Sequence, residues 1–84
     1  MTIYIVSYTS FYEEICNNVI PFAKKEDAIE SANNFLQYDI NEEVDKSCIT
    51  TQNFDTYTSG YKEVNVTDHI NGRDFQVSIT ECKL

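Results

Sequence analysis

The chain has 84 residues, of which 14 are acidic and 6 basic, for a net charge of −8, with 42% hydrophobic residues, six tyrosines and five phenylalanines. So short a chain buries only ~60% of its unfolded surface, which leaves room for one core and therefore one domain, and its apolar content suits a folded body, not a disordered acidic tail. The charge balance excludes direct binding to nucleic acid or to an anionic membrane, where each phosphate contact needs a Lys or Arg, and makes a basic protein surface the natural partner.

Met1 to Tyr8 carries no charged leader region and no long apolar run, so neither a signal peptide nor a membrane span is expected and a cytoplasmic setting follows. The same stretch alternates Ile3 and Ile5 against Tyr4, Val6 and Tyr8, the pattern of a strand covered on both faces. Between Ser10 and Phe22, residues Phe11, Tyr12, Ile15, Val19 and Ile20 predict a hairpin that turns near Glu13-Glu14 or at Asn17-Asn18 and ends at Pro21, which cannot donate to a central ladder.

A helix follows. Ala28, Ile29, Ala32, Phe35 and Leu36 form one apolar stripe, while Asp27, Glu30, Asn34 and Gln37 point away. Glu26 and Asp27 suit the positive end of the helix dipole, although Ala23 is a poor cap. Continuing the stripe past Tyr38 would bring Asp39 and Glu43 onto it, so a break is expected there, with Asp39 and Glu42 forming a capping box for a second short helix anchored by Ile40 and Val44.

Cys48 to Ser59 reads as a loop holding one short strand, punctuated by Gly60. Beyond it, Asn71-Gly72 between alternating runs predicts a two-residue hairpin turn. That turn sets Ile70 opposite Arg73, Asp68 opposite Phe75, Val66 opposite Val77, Val64 opposite Ile79 and Lys62 opposite Glu81, which gathers the apolar residues on one face and puts His69 opposite Asp74 on the other. The fold class is α+β: an antiparallel sheet of three to five strands with one main helix on one face, in the order β(β)-α-ββ.

Catalytic signatures are sparse. His69 is the single histidine, no Ser or Cys sits in a nucleophile motif, and the two glycines, Gly60 and Gly72, form no phosphate loop, so no enzyme activity and no cofactor is expected. Cys16, Cys48 and Cys82 are odd in number and widely spaced, which fits reduced thiols. With His69 they make a chemically acceptable zinc set, but without the short paired spacing of a zinc site. The run from Asp39 to Asp45 superficially resembles a calcium loop, yet Val44 and Thr50 stand where glycine and the bidentate glutamate belong.

Surfaces carry the remaining signal. From Glu26 to Asp45 there are seven carboxylates and no basic residue; on a helix of roughly 30 Å that is about one charge per 4 Å, near the ~3.4 Å of one DNA strand. A solvated acidic helix that keeps a small protein soluble has the same pattern. Tyrosines beside carboxylates, Tyr38 among them, suit an interface. In size, acidity, lack of a catalytic motif and Asn/Ile/Tyr/Lys-leaning composition, the chain resembles the small phage- or mobile-element-encoded inhibitors of bacterial defence, the anti-CRISPR and anti-restriction proteins. The resemblance implies a protein of the host-cell cytoplasm that blocks a nucleic-acid-binding enzyme, presenting Asp27, Glu30, Asp39, Glu42, Glu43 and Asp45 to the Lys and Arg residues of its DNA channel as a DNA mimic does. Two alternatives stand beside it: an interaction module, homodimeric through a sheet edge or the Tyr4/Tyr8 face, and a small metal protein or enzyme using His69.

Overall fold

A computed structural model describes residues 1–12 and 14–84, with side chains for residues 1–11 and 18–84. Strands β1 (Thr2–Tyr12) and β2 (Glu14–Phe22) precede a helical run, and β3 (Tyr61–Asp68) and β4 (Arg73–Lys83) follow it. All four strands pair antiparallel in the order β2-β1-β4-β3, with the helical run on one face, which is the α+β architecture expected from the sequence. The turn expected near Glu13-Glu14 falls on Glu13, which lies outside the described residues. Asn17 and Asn18, the other turn considered, sit within β2 opposite Thr9 and Tyr8. Pro21 does not end this hairpin but lies inside β2 opposite Ile5, a position open to it because β2 is an edge strand.

Alternation divides the sheet into two faces. Val6, Tyr8, Val64, Val66, Phe75, Val77 and Ile79 are buried under the helical run together with Ala28, Ala32, Leu36 and Ile40. Tyr8 stacks on Phe35 with ring centres 4.8 Å apart, and Tyr4 meets Tyr57 edge-on at 6.5 Å. The Tyr4/Tyr8 face is thus core and not a self-association surface, because these tyrosines lie on the helix side of β1. The opposite face is open, and on it Phe11, Val19 and Tyr61 are 49, 63 and 58% exposed. The two central strands are the first and last of the chain, and their ends are tied where the Leu84 N–H donates to the Met1 carbonyl at 2.7 Å.

The second hairpin keeps the predicted faces but not the predicted register. Val64 pairs with Val77, Val66 with Phe75 and Asp68 with Arg73, a shift of two residues that leaves side-chain parity intact. The connection is consequently four residues long, His69 to Gly72. Asp68 causes this: its Oδ1 accepts the N–H groups of Ile70 and Asn71 at 3.1 Å each, folding the loop around the carboxylate. His69 therefore leaves the strand, and Thr67 takes the place opposite Asp74. Gly72 closes the loop at φ +68°, with open space where a Cβ would stand. Gly72→Ala should then cost only its backbone strain, about 1–2 kcal/mol in a urea melt, without steric collapse of the hairpin.

In place of the expected break at Asp39, the helix runs on. An α-helix, α1 (Lys25–Asn34), passes into a π-helical stretch, Phe35–Ile40, and then into a short α-helical turn, α2 (Asn41–Glu43). Its π character shows where the Asn41 N–H donates to the Leu36 carbonyl five residues back. The buried residues Ala28, Ala32, Leu36, Ile40 and Val44 recur every fourth position. On an ordinary α-helix that spacing drifts about 40° per step; the slower winding of the π stretch opposes the drift and keeps Ile40 over the sheet. The conflict between Ile40 and the register of the first two turns is real, and a widened turn resolves it without a break. Asp39 therefore lies mid-helix and caps nothing. Among the described residues, no helix is long and apolar enough to cross a membrane.

From Lys46–Cys48, a single 3₁₀ turn, to Gly60 the chain forms no strand, contrary to expectation. Two helix asparagines hold it. The Asn33 carbonyl oxygen accepts the Phe54 N–H at 2.7 Å while its amide donates to Asp55 at 2.8 Å, and Asn41 makes a reciprocal pair with the main chain of Thr50. These bonds satisfy the backbone that a ladder would otherwise satisfy. Phe54 and Tyr57 drop into the core, and the Tyr57 hydroxyl donates to the Gly60 carbonyl at 2.8 Å. Burial, then the carboxylate of Glu81, raise the Tyr57 pKa above its ordinary value.

Candidate acidic interface

The four-residue spacing that orders the core also orders the surface. Beside the buried row run Asp27, Ser31, Phe35 and Asp39, then Glu30, Asn34, Tyr38 and Glu42. Asp27, Glu30, Tyr38, Asp39, Glu42 and Glu43 are exposed, Tyr38 by 62%. Asp27, Glu30 and Asp39 come together around a cleft of about 330 Å³ between the helix and Phe22, at the end of β2. Phe22 and Phe35, both half-buried, line it, and Ser31 and Asn34 complete the rim. Phe35 had been legible only as a core residue and Phe22 only as part of the hairpin. The signal that could have found Phe35 is its place in the four-residue series Asp27, Ser31, Phe35 and Asp39, whereas no spacing points to Phe22.

At the far end of the helix the carboxylates divide in role. Asp45 is half-buried, and its Oδ1 accepts both the N–H of Ser47, at 2.9 Å, and the Ser47 hydroxyl, at 2.8 Å. It is the N-cap of the 3₁₀ turn, and the bond from the Ser47 N–H, followed by that from the hydroxyl, lowers its pKa. One oxygen of this carboxylate is engaged within the chain, so Asp45 has a structural part in the acidic corner. Arg73 donates to the main-chain carbonyl of Glu43, which fixes the end of the helix to β4.

Asp68, read from the sequence only as a strand residue, is the fully buried hub of this corner. Besides two loop amides it accepts the Asp45 N–H at 3.2 Å, the Asn71 side-chain amide at 2.8 Å and Arg73 Nη2 at 3.2 Å. The Asn71 side chain above all, then the main-chain donors and Arg73, holds its carboxyl far below the usual range despite burial. Arg73 is thus occupied internally. Lys62 is too, donating to the Asn53 carbonyl at 2.9 Å with its ammonium 5.4 Å from the centre of the Phe54 ring. Two of the six basic side chains are withdrawn from balancing the acidic helix.

His69 Nδ1 lies 3.5 Å from Cys48 Sγ, with Ser47 Oγ 3.7 Å from the same sulfur. Among the described residues, no three His, Cys, Asp or Glu side chains are grouped to hold a metal ion, and the Cys16 side chain lies outside them. No protein-family model, curated protein or solved structure matches the chain.

Proposed function

We propose that this is a small acidic binding protein that occupies the basic, nucleic-acid-binding surface of another protein and blocks it without turnover, as anti-CRISPR and anti-restriction inhibitors do. One observation carries the reading: a single helical run exposes Asp27, Glu30, Asp39 and Glu42 with no basic residue between Glu26 and Asp45. A solubilising surface has no need of such segregation, because charges of both signs mixed over the surface serve that purpose. Tyr38 and Glu43 extend the surface, and Asp45 shapes its end.

The test begins with capture from host-cell lysate on the tagged protein at low salt, followed by elution with duplex DNA. A nucleic-acid enzyme displaced by DNA supports the proposal; retention indifferent to both salt and DNA overturns it. Replacing Glu30, Asp39 and Glu42 together by Lys should slow association with the captured enzyme by about tenfold or more while leaving the circular dichroism spectrum unchanged. Undiminished binding by that variant removes the helix from the mechanism.

A second reading has its own observation, the exposure of Phe11, Val19 and Tyr61 on the sheet face opposite the helix. A module that self-associates through this face would change its scattering mass across a dilution series, whereas a monomeric inhibitor would not.

A further inference from the structure

We infer that the cleft between the helix and Phe22 is a receptor for an arginine side chain of the basic partner. The inference rests on the proposed function and names the group by which that partner is held. The walls suit a guanidinium in three respects. Phe22 and Phe35 offer aromatic surface, on which a planar delocalised cation stacks and which attracts positive charge. Asp27, Glu30 and Asp39 stand around the same space, and paired carboxylate oxygens match the forked donors of arginine. A volume of about 330 Å³ is at the small end for ligand sites and has room for an arginine side chain.

The carboxylates also lack an internal counterion. Among the described residues, no ion pair or hydrogen bond engages the side chains of Asp27, Glu30 or Asp39. Asp27 and Glu30 lie three residues apart on α1, where like charges repel. Bringing a third carboxylate, Asp39, to the same cleft adds to that repulsion, which a bound cation relieves. Lysine fits less well: its compact, strongly hydrated ammonium neither stacks nor forks, so the cleft discriminates between the two cations.

The experiment titrates the isotopically labelled protein with N-acetyl-arginine amide and, separately, with N-acetyl-lysine amide at constant ionic strength, following amide shifts by NMR. Saturable shifts confined to the amides around Phe22, Asn34, Phe35 and Asp39, with arginine about fivefold tighter than lysine or better, are expected. Asp39→Asn and Asp27→Asn, at exposed positions that leave the core untouched, should each weaken arginine binding severalfold. Asp74→Asn, exposed on the sheet face opposite the helix, should leave it unchanged. Phe22→Leu tests the aromatic wall, and if it perturbs folding the two carboxamide variants still decide. Linear shifts spread over all the acidic residues, or equal responses to the two amides, overturn the inference. Its failure is distinct from failure of the proposed function: salt-sensitive, DNA-displaced capture can persist without an arginine site, and a saturable arginine site can exist where no nucleic-acid enzyme is captured.

Discussion

Phe54→Ala is expected to destabilise the protein by about 3–5 kcal/mol, a large part of the roughly 4–13 kcal/mol available to a chain of this length. The ring is fully buried although it belongs to the strandless segment between the helix and β3. Its removal leaves a cavity that nearby main chain cannot easily fill, because the Phe54 N–H is tied to Asn33 and the Phe54 carbonyl accepts the Tyr57 N–H at 3.0 Å. Lys62 also loses the aromatic face beneath its ammonium. Urea unfolding followed by circular dichroism gives the number, and amide exchange shows whether the segment opens alone or with the sheet. Phe54→Leu, which keeps most of the volume, should cost clearly less. A loss below about 1 kcal/mol for the alanine variant would mean that the segment is a passive cover and not part of the core.

The other large effect is at Asp68. Asparagine can present only one oxygen where the carboxylate presents two. If that oxygen keeps the Ile70 and Asn71 amides, the new amide group faces three donors, from Asp45, the Asn71 side chain and Arg73. Asp68→Asn should therefore cost more than Gly72→Ala and loosen the helix end and the β3–β4 loop together. The effect depends on pH in a defined direction. Because folding depresses the carboxyl pKa below its ordinary 3.8, the contribution of Asp68 is whole above that value and is lost as pH falls below it toward the folded-state pKa. With a net charge of −8, protonating exposed carboxylates relieves repulsion over the same range, an effect of opposite sign. The informative quantity is thus the gap between wild type and variant in urea midpoints at pH 7, 4 and 2.5, which should be constant near neutrality and narrow in acid. A gap independent of pH would show that the carboxylate's charge contributes nothing.

The parts of the fold that were legible in the sequence are those set by periodicity. Alternation in β1, β3 and β4 and the apolar stripe of α1 assign each residue to a face, and faces survive even where register does not. The β3–β4 hairpin shows why. Asn71-Gly72 is the strongest short turn signal in the chain, but a side chain three residues earlier, Asp68, offered the amides a competing acceptor and lengthened the loop without changing parity. The helix continuation was hidden for a related reason: α-helical geometry is assumed when a stripe is projected, and a π turn changes the projection. Asn33 and Asn41 were unreadable as loop anchors because their partners, Phe54 and Thr50, lie 21 and 9 residues away. In the acidic surface, composition located the carboxylates but not their neighbours. Asp45 turned inward to Ser47, and Phe22 and Phe35 joined the acids only through the packing of the helix beside β2.

The placement of β1 and β4 at the centre of the sheet has a consequence for how the protein comes into being. Each edge strand is joined to a central one by a hairpin, so the two ends of the chain can organise locally, but the pairing that unites them links residues such as Ile3 and Cys82 across nearly the whole sequence. Closing so long a loop precedes any reward from the contacts it brings, which makes folding slow for a chain of this size. During synthesis the first hairpin and the helix emerge with the inner edge of β1 unpaired and the apolar underside of the helix only partly covered. Until β4 has been made, that edge is the part of the nascent chain most open to pairing with a neighbour.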